Sequence, residues 1–248
     1  MRMGERIFQM RLDRFLSEGG FGSRSQVKKI LKDHKVQVNG SFISDGKIIV
    51  EPYKDEVFVG TQRVEYQELV YYLFYKPGGC VCANKDSIHA TVFQYVPMNK
   101  KQDLFTVGRL DLDTEGLLII TNDGKFSHSI MSPKKHVEKT YIALWDKDAT
   151  LEDVTAFEHG IDIGDDKITK PAKLSYDADS PQKVTITISE GRYHQVKRMS
   201  ANVGKEVLKL KRLQVGKFVL DERLKPGEYR EFTKEEMEYV EQYKCGSV

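Results

Sequence analysis

The run Leu117-Leu118-Ile119-Ile120-Thr121 lies inside an acidic segment that reads GRLDLDTEGLLIITNDG over residues 108–124. Consecutive aliphatic and β-branched side chains in a run this short read as a strand that must be buried. Three carboxylates, Asp111, Asp113 and Glu115, fall within the eight positions that open the segment. An ionised carboxylate does not enter a core without partners. The chain must therefore place the end of a core strand at a lip where such a group is held.

Three chemistries compete for that lip. A calcium loop counted from Asp111 puts Asp113, Glu115 and Gly116 in register, but its twelfth position is Asn122 where a bidentate Glu is needed. Ile119 stands at the ninth position, and a β-prone run replaces the exiting helix. An acid and base pair for glycoside cleavage would need neighbouring sugar subsites, and no aromatic cluster is near; Gly108 and Gly116 also mark a loop. The third reading is a single nucleophilic or electrostatic Asp beside a nucleic-acid groove. Charge distribution favours it. The net charge is only +2, yet Arg192 to Lys217 holds eight Lys and Arg against one acid, Glu206. A local excess of this kind steers a polyanion.

The remaining sequence divides in two. Residues 11–60 read as a small unit, 61–68 as a polar linker, and 69–248 as a larger domain. In the first, Leu12, Phe15 and Leu16 are spaced for a helix stopped by Gly19-Gly20, and Ser23 with Gln26 forms a capping box for a second helix. Val27, Ile30 and Leu31 form its apolar face, leaving Arg24, Lys28, Lys29 and Lys32 largely outside it. Asn39-Gly40 is a hairpin signal. In the second domain, strands are expected at 69–75, 117–121, 140–145, 184–188 and 206–210. Helices are expected within 86–96, 147–160, the middle of 191–204 and the tail from Thr233. Short strands with hairpin-like connections predict an α+β fold, a mixed, mostly antiparallel sheet with flanking helices.

GRLDLDTEGLLIITNDG resembles the signature of the pseudouridine synthases, in particular the branch that acts on small-subunit ribosomal RNA. The blocks YKPGGCVCANKD (75–86), SPKKHVEKTYIA (132–143), EGRYHQVKRMSANVGKEVLKLKRLQVG (190–216) and LKPGEYREFTKEE (224–236) agree with it in the family's order. Residues 11–60 resemble the S4-type RNA-binding domain. The resemblance implies isomerisation of a uridine in 16S ribosomal RNA, with the same reaction on 23S RNA or a non-catalytic assembly role as alternatives. The compact block at 132–141 and the short C-terminal end favour 16S.

Residue by residue, the resemblance makes Asp111 the catalytic aspartate. It attacks ribose C1′ or stabilises and deprotonates a sugar intermediate; both remain open. Lys197 would pair with it, keeping the carboxylate ionised and directed. Tyr141 would stack on the flipped uracil, and Val196 would pack on the other side. Arg109 would reach the vacated base position. Arg192, His194 and Arg198 would contact RNA beside the pocket, and Arg24, Lys28 and Lys29 would do so from the first unit. Thr114 would hydrogen-bond within the loop and hold Asp111 in place. The reaction needs no cofactor or metal.

The expected partner is ribosomal RNA within a folded or partly assembled small subunit. Three cysteines, Cys80, Cys82 and Cys245, make neither a disulfide framework nor a zinc site, as expected of reduced thiols. No run reaches the roughly 20 apolar residues of a membrane span. A cytoplasmic monomer with no membrane association is the resulting expectation.

Overall fold

The structure is a computed structural model that describes residues 8–66, 69–96 and 104–245. These form two compact units, residues 8–66 with Leu69, Val96 and Leu104, and residues 70–95 with 105–245.

In the first unit, β1 (Met10–Arg11) leads into α1 (Leu12–Glu18), followed by α2 (Arg24–Lys32). The Ser23 N–H donates to Gln26 Oε1 at 2.8 Å, the Gln half of the expected capping box. Leu12, Phe15, Leu16, Val27 and Leu31 are buried together, whereas Arg24, Lys28, Lys29 and Lys32 are exposed. Strands β2 (Val36–Val38) and β3 (Ser41–Phe42) turn through Asn39 and Gly40, with φ of 50° and 80°. Positive φ at both positions is what a two-residue hairpin of matching twist requires. β4 (Ile49–Val50) pairs with β1, and β5 (Val57–Val59) pairs with both β2 and β6 (Gln62–Arg63). The segment read as a linker thus begins inside this unit. Gln62 and Arg63 are the polar edge of its sheet, and Val64 is buried in its core; Gln67 and Glu68 lie outside the described residues.

The second unit is built on one sheet. Its strands are β7 (Tyr71–Lys76), β10 (Phe105–Val107), β11 (Glu115–Thr121), β12 (Lys139–Trp145), β13 (Lys173–Asp177), β14 (Ser180–Ile188), β15 (Val207–Val215), β16 (Phe218–Val219) and β17 (Tyr229–Glu231). A separate short parallel pair joins β8 (Cys80–Val81) to β9 (Ala90–Thr91). The large sheet runs β13-β14-β12-β15-β11-β7-β17, with β10 added beside β11 and β16 beside β15. Every pairing in it is antiparallel except β11 with β15. Helices α3 (Gly124–Met131), α4 (Leu151–His159), α5 (Gln195–Asn202) and α6 (Lys234–Cys245) flank it. Trp145, Phe157, Val184, Ile186 and Met199 form the core under β12 and β14.

The helix expected within 86–96 is absent; that stretch holds β9 and a single tight turn at Val92–Gln94. The Asp86 carboxylate accepts from the N–H groups of Ile88 and His89 at 2.8 and 2.7 Å. This local side-chain turn competes with the helix.

The edge of β11 is shared. Its far end, Ile119 to Thr121, pairs with β10, while Glu115 and Gly116 pair with Lys211 and Arg212 of β15. The loop 108–114 therefore leaves the sheet where β10 stops and β15 takes over. A Cβ on Gly116 would lie 2.2 Å from the Arg212 carbonyl oxygen, and its φ is 107°. Only glycine permits that approach.

Candidate active site

Four sets of hydrogen bonds shape the loop that carries Asp111. Lys76 ends β7 with its side chain fully buried, and its Nζ donates to the carbonyl oxygens of Asp111 (3.0 Å), Leu112 (3.3 Å), Thr114 (2.9 Å) and Pro77 (3.1 Å). Burial pushes the Lys76 ammonium below its ordinary pKa. The Gly79 N–H donates to the Leu112 carbonyl at 2.8 Å, so the Lys76-Pro77-Gly78-Gly79 turn holds the loop from below. Behind it, the Leu110 N–H donates to Cys82 Sγ at 3.4 Å. Thr114 holds the loop by its N–H, which donates to the Asp111 carbonyl at 3.2 Å. Its buried hydroxyl has no partner, so the expected hydrogen bond within the loop is made by the backbone.

The opposing wall comes from the turn before α5. Glu190 Oε1 accepts from Gln195 Nε2 and the Lys170 N–H, both at 3.0 Å, and Gln195 Oε1 accepts from the Arg192 N–H at 2.9 Å. This network fixes His194 at φ 49°, in the left-handed region, directly before the helix. The His194 ring stacks on Tyr193 at 3.8 Å between centroids. From this wall, His194 Nε2 comes within 3.4 Å of Asp111 Oδ1, and Lys197 Nζ within 3.5 Å of Asp111 Oδ2. Lys197 makes its shorter contact, 2.5 Å, with Asp113. That hydrogen bond holds the Asp113 carboxyl below the usual carboxylate range. Lysine, a point charge without a fork, is thus shared between two carboxylates.

Between the walls lies a cavity of about 490 Å³. It is lined by Asp111, Tyr141, Lys197, Arg109, His194 and Val196, which the sequence had spread over 89 positions, from 109 to 197. Tyr141 and Val196 are buried, and Arg109 is exposed at the mouth. Arg192 also borders the cavity, but its guanidinium is committed inward. It donates to the carbonyls of Lys167 (2.5 Å) and Ile168 (2.8 Å) and pairs with Glu190 at 3.2 Å. Arg198 does not line it; its guanidinium pairs with Asp165 at 2.6 Å and donates to the Tyr193 carbonyl at 3.1 Å. Successive helix residues diverge by about 100°, so Lys197 and Arg198 face different neighbours. Arg24, Lys28 and Lys29 lie on the first unit's exposed α2 face.

Two further cations line the cavity and were not anticipated. Lys139 opens β12, and its side chain shares the inward face with Tyr141, Ala143 and Trp145. Alternation at 139, 141, 143 and 145 was the available signal. Burial, with a smaller push from the charge of Arg212, lowers the Lys139 ammonium to about 8. Arg212 is 2% exposed, and its Nε donates to the Leu117 carbonyl at 2.9 Å.

Comparison with known proteins gives a consistent result. The family model described as RNA pseudouridylate synthase matches residues 70–202, and that of the S4 domain matches residues 10–53. The chain is 43% identical over 231 residues to a Bacillus subtilis (strain 168) protein named as an uncharacterized RNA pseudouridine synthase, covering 92% of this chain and 97% of that one. It is 40% identical over 232 residues to the ribosomal small subunit pseudouridine synthase A of Yersinia pestis, covering 93% and 98%. With the Escherichia coli (strain K12) protein of the same name the identity is 38%, covering 93% and 100%. A crystal structure of a pseudouridylate synthase matches with a TM-score of 0.66 at 39% identity, covering 93% of this chain and 99% of that one.

Proposed function

Since this chain belongs to the RNA pseudouridylate synthase family and carries an S4 domain, we propose that it converts one uridine of 16S ribosomal RNA to pseudouridine, with Asp111 as the catalytic carboxylate. The observation that carries the reading is the position of Asp111, at the edge of a cavity of about 490 Å³ with His194 at 3.4 Å and Lys197 at 3.5 Å. A volume of that order suits a small organic group, for which pockets run ~300–1,000 Å³. A uridine enters such a pocket only after leaving its stack, at a cost of about a few kcal/mol. Tyr141 and Val196 then offer apolar surface to the base, and Arg109 stands at the mouth.

Isomerisation breaks the C1′–N1 bond, turns the uracil and joins C5 to C1′. Asp111 either bonds to C1′ or removes a sugar proton; either role needs an ionised carboxylate, beside which Lys197 places its ammonium. Uracil is both leaving group and incoming group, so the mechanism uses no cofactor.

The 16S assignment is supported by relatives named as ribosomal small subunit pseudouridine synthases that align along nearly their whole length. The exposed Arg24, Lys28 and Lys29 of the S4 domain supply sequence-independent phosphate contacts, which position RNA without specifying a base. Specificity then rests on folded shape around the target, within a folded or partly assembled subunit in the cytoplasm, and the enzyme acts as a monomer. The test is to map pseudouridine in both ribosomal RNAs from cells with and without the gene. Loss of one 16S site is expected; loss of a 23S site with 16S unchanged would overturn the substrate.

A further inference from the structure

Lys139 and Arg212 stand in the same cavity as Asp111, and among the described residues neither forms an ion pair. They come from adjacent antiparallel strands in which Tyr141 lies opposite Arg212, with Lys139 two residues from Tyr141. All three side chains therefore share one face of the sheet. Lys139 is 6% and Arg212 2% exposed. Lys139 Nζ donates to the Val137 carbonyl at 2.8 Å, which leaves two of its three N–H groups for other use. Arg212 Nη2 is buried and has no partner. The nearby acid Glu190 is occupied by Arg192, Gln195 and the Lys170 N–H.

Two buried cations without a counter-ion destabilise a fold. The arrangement is complementary to negative charge that arrives with a ligand or develops during reaction. Hydrogen-bond donors fixed in a dry site act most strongly on charge that appears only in the transition state. In pseudouridine formation that charge has a defined location. When C1′–N1 breaks, its electron pair stays on uracil N1 and spreads onto O2 and O4. At C1′ the deficit is met by a bond to Asp111 or by loss of a sugar proton to it.

We propose that Lys139 and Arg212 form a cationic floor that binds the carbonyl oxygens of the flipped uracil and stabilises the uracil anion while it is detached. Both side chains keep their protons throughout. The charge returns to Asp111 when C5 bonds to C1′; the C5 proton then leaves and N1 takes one up, which gives neutral pseudouridine. The inference rests on the pseudouridine reading and goes beyond it by assigning the leaving group its own subsite, distinct from Asp111, which serves the sugar.

The experiment compares the full-length wild type with Lys139→Met and Lys139→Arg in single-turnover reactions on 16S RNA transcribed with uridine or with 5-fluorouridine, read by mass spectrometry of the nucleosides as pseudouridine from uridine and, since fluorine leaves no C5 proton to lose, as the C5-linked nucleoside that retains the fluorine. Fluorine withdraws electrons and makes the detached ring a better leaving group. With uridine, Lys139→Met should slow the rate by about a hundredfold, the loss typical of removing one transition-state donor. RNA affinity should stay within about threefold, and the deficit on 5-fluorouridine should fall to about tenfold or less. Lys139→Arg, which keeps the charge, should stay within about tenfold of wild type on both. Should Lys139→Met not fold, Lys139→Gln is read in the same way. Equal deficits on the two RNAs, or an unchanged rate, would overturn the floor. So would a loss confined to affinity and fading with salt, since that marks a backbone phosphate as the ligand. A wild type that rearranges no uridine in either ribosomal RNA would instead overturn the underlying function, and the floor with it.

Discussion

Replacing Lys139 with Met should stabilise the catalytic unit, by an amount that depends on pH. In the folded chain its ammonium titrates near 8, against an ordinary 10.5. A pKa lowered by one costs the charged form about 1.36 kcal/mol. The fall from 10.5 to about 8 therefore costs the folded, charged state about 3 kcal/mol, nearly all of it present at pH 7. That is an upper bound on the gain, since Met must also pack where Lys139 now lies. The sign follows from proton counts. Between pH 8 and 10.5 the unfolded chain holds the Lys139 proton and the folded chain has released it, so wild-type stability rises with pH through this window. The advantage of Met should therefore shrink by about 1 kcal/mol between pH 7 and 9. Arg212 on β15 faces Lys139 with the same charge, and Asp111, Arg192, His194 and Lys197 line the cavity walls. Tyr71 has its pKa raised by burial and by its hydrogen bond to Asp123, which destabilises the fold above about pH 10 when the unfolded chain ionises first. Measurements belong below that. The assay is urea unfolding at pH 7, 8 and 9 followed by fluorescence of Trp145, the chain's only tryptophan and fully buried in this unit. A loss of stability on substitution, or a gain that persists unchanged to pH 9, would refute an unpaired buried cation at this position.

Asp111→Asn should abolish turnover while RNA affinity, measured by filter binding, stays within about tenfold, because Asn keeps the shape and loses the charge. Lys76→Met should lower both stability and turnover, since four carbonyl oxygens lose their shared donor; about 2–3 kcal/mol is expected in urea unfolding from buried acceptors left unpaired. Asp113→Asn should leave the rate within about threefold of wild type, because Lys197 then serves Asp111 alone; a single-turnover rate falling a hundredfold would assign Asp113 a direct role. Lys28→Gln and Lys29→Gln should each reduce the slope of log affinity against log salt by about 0.7–0.9 where they contact a phosphate, with little effect on the single-turnover rate at saturating enzyme.

Local physics made much of the fold legible in the sequence. The Asn39-Gly40 hairpin, the Gln26 cap of α2 and the strands β7, β11, β12 and β14 follow from turn chemistry and side-chain period, both properties of neighbours along the chain. The motif residues Asp111, Tyr141 and Lys197 were likewise legible, and the cavity brings them together. What tertiary structure decided was the partner of each charge. Arg192 and Arg198 read as free cations, yet the loop at 163–168 and Glu190 occupy both. Arg212 counted as one of a basic stretch, and Lys76 and Lys139 drew no reading of their own, yet all three are buried. The cause lies in one long-range pairing. β15 joins β11 in parallel at Gly116 and Arg212, 96 residues apart, and this sets Arg212 beside the Leu117 carbonyl while covering the floor of the cavity. Period and propensity describe one strand at a time, whereas burial of a cation depends on which distant strand lies next to it. The sequence therefore singled out Asp111 by its motif, and the packing of β11, β12 and β15 decided which cations share its cavity.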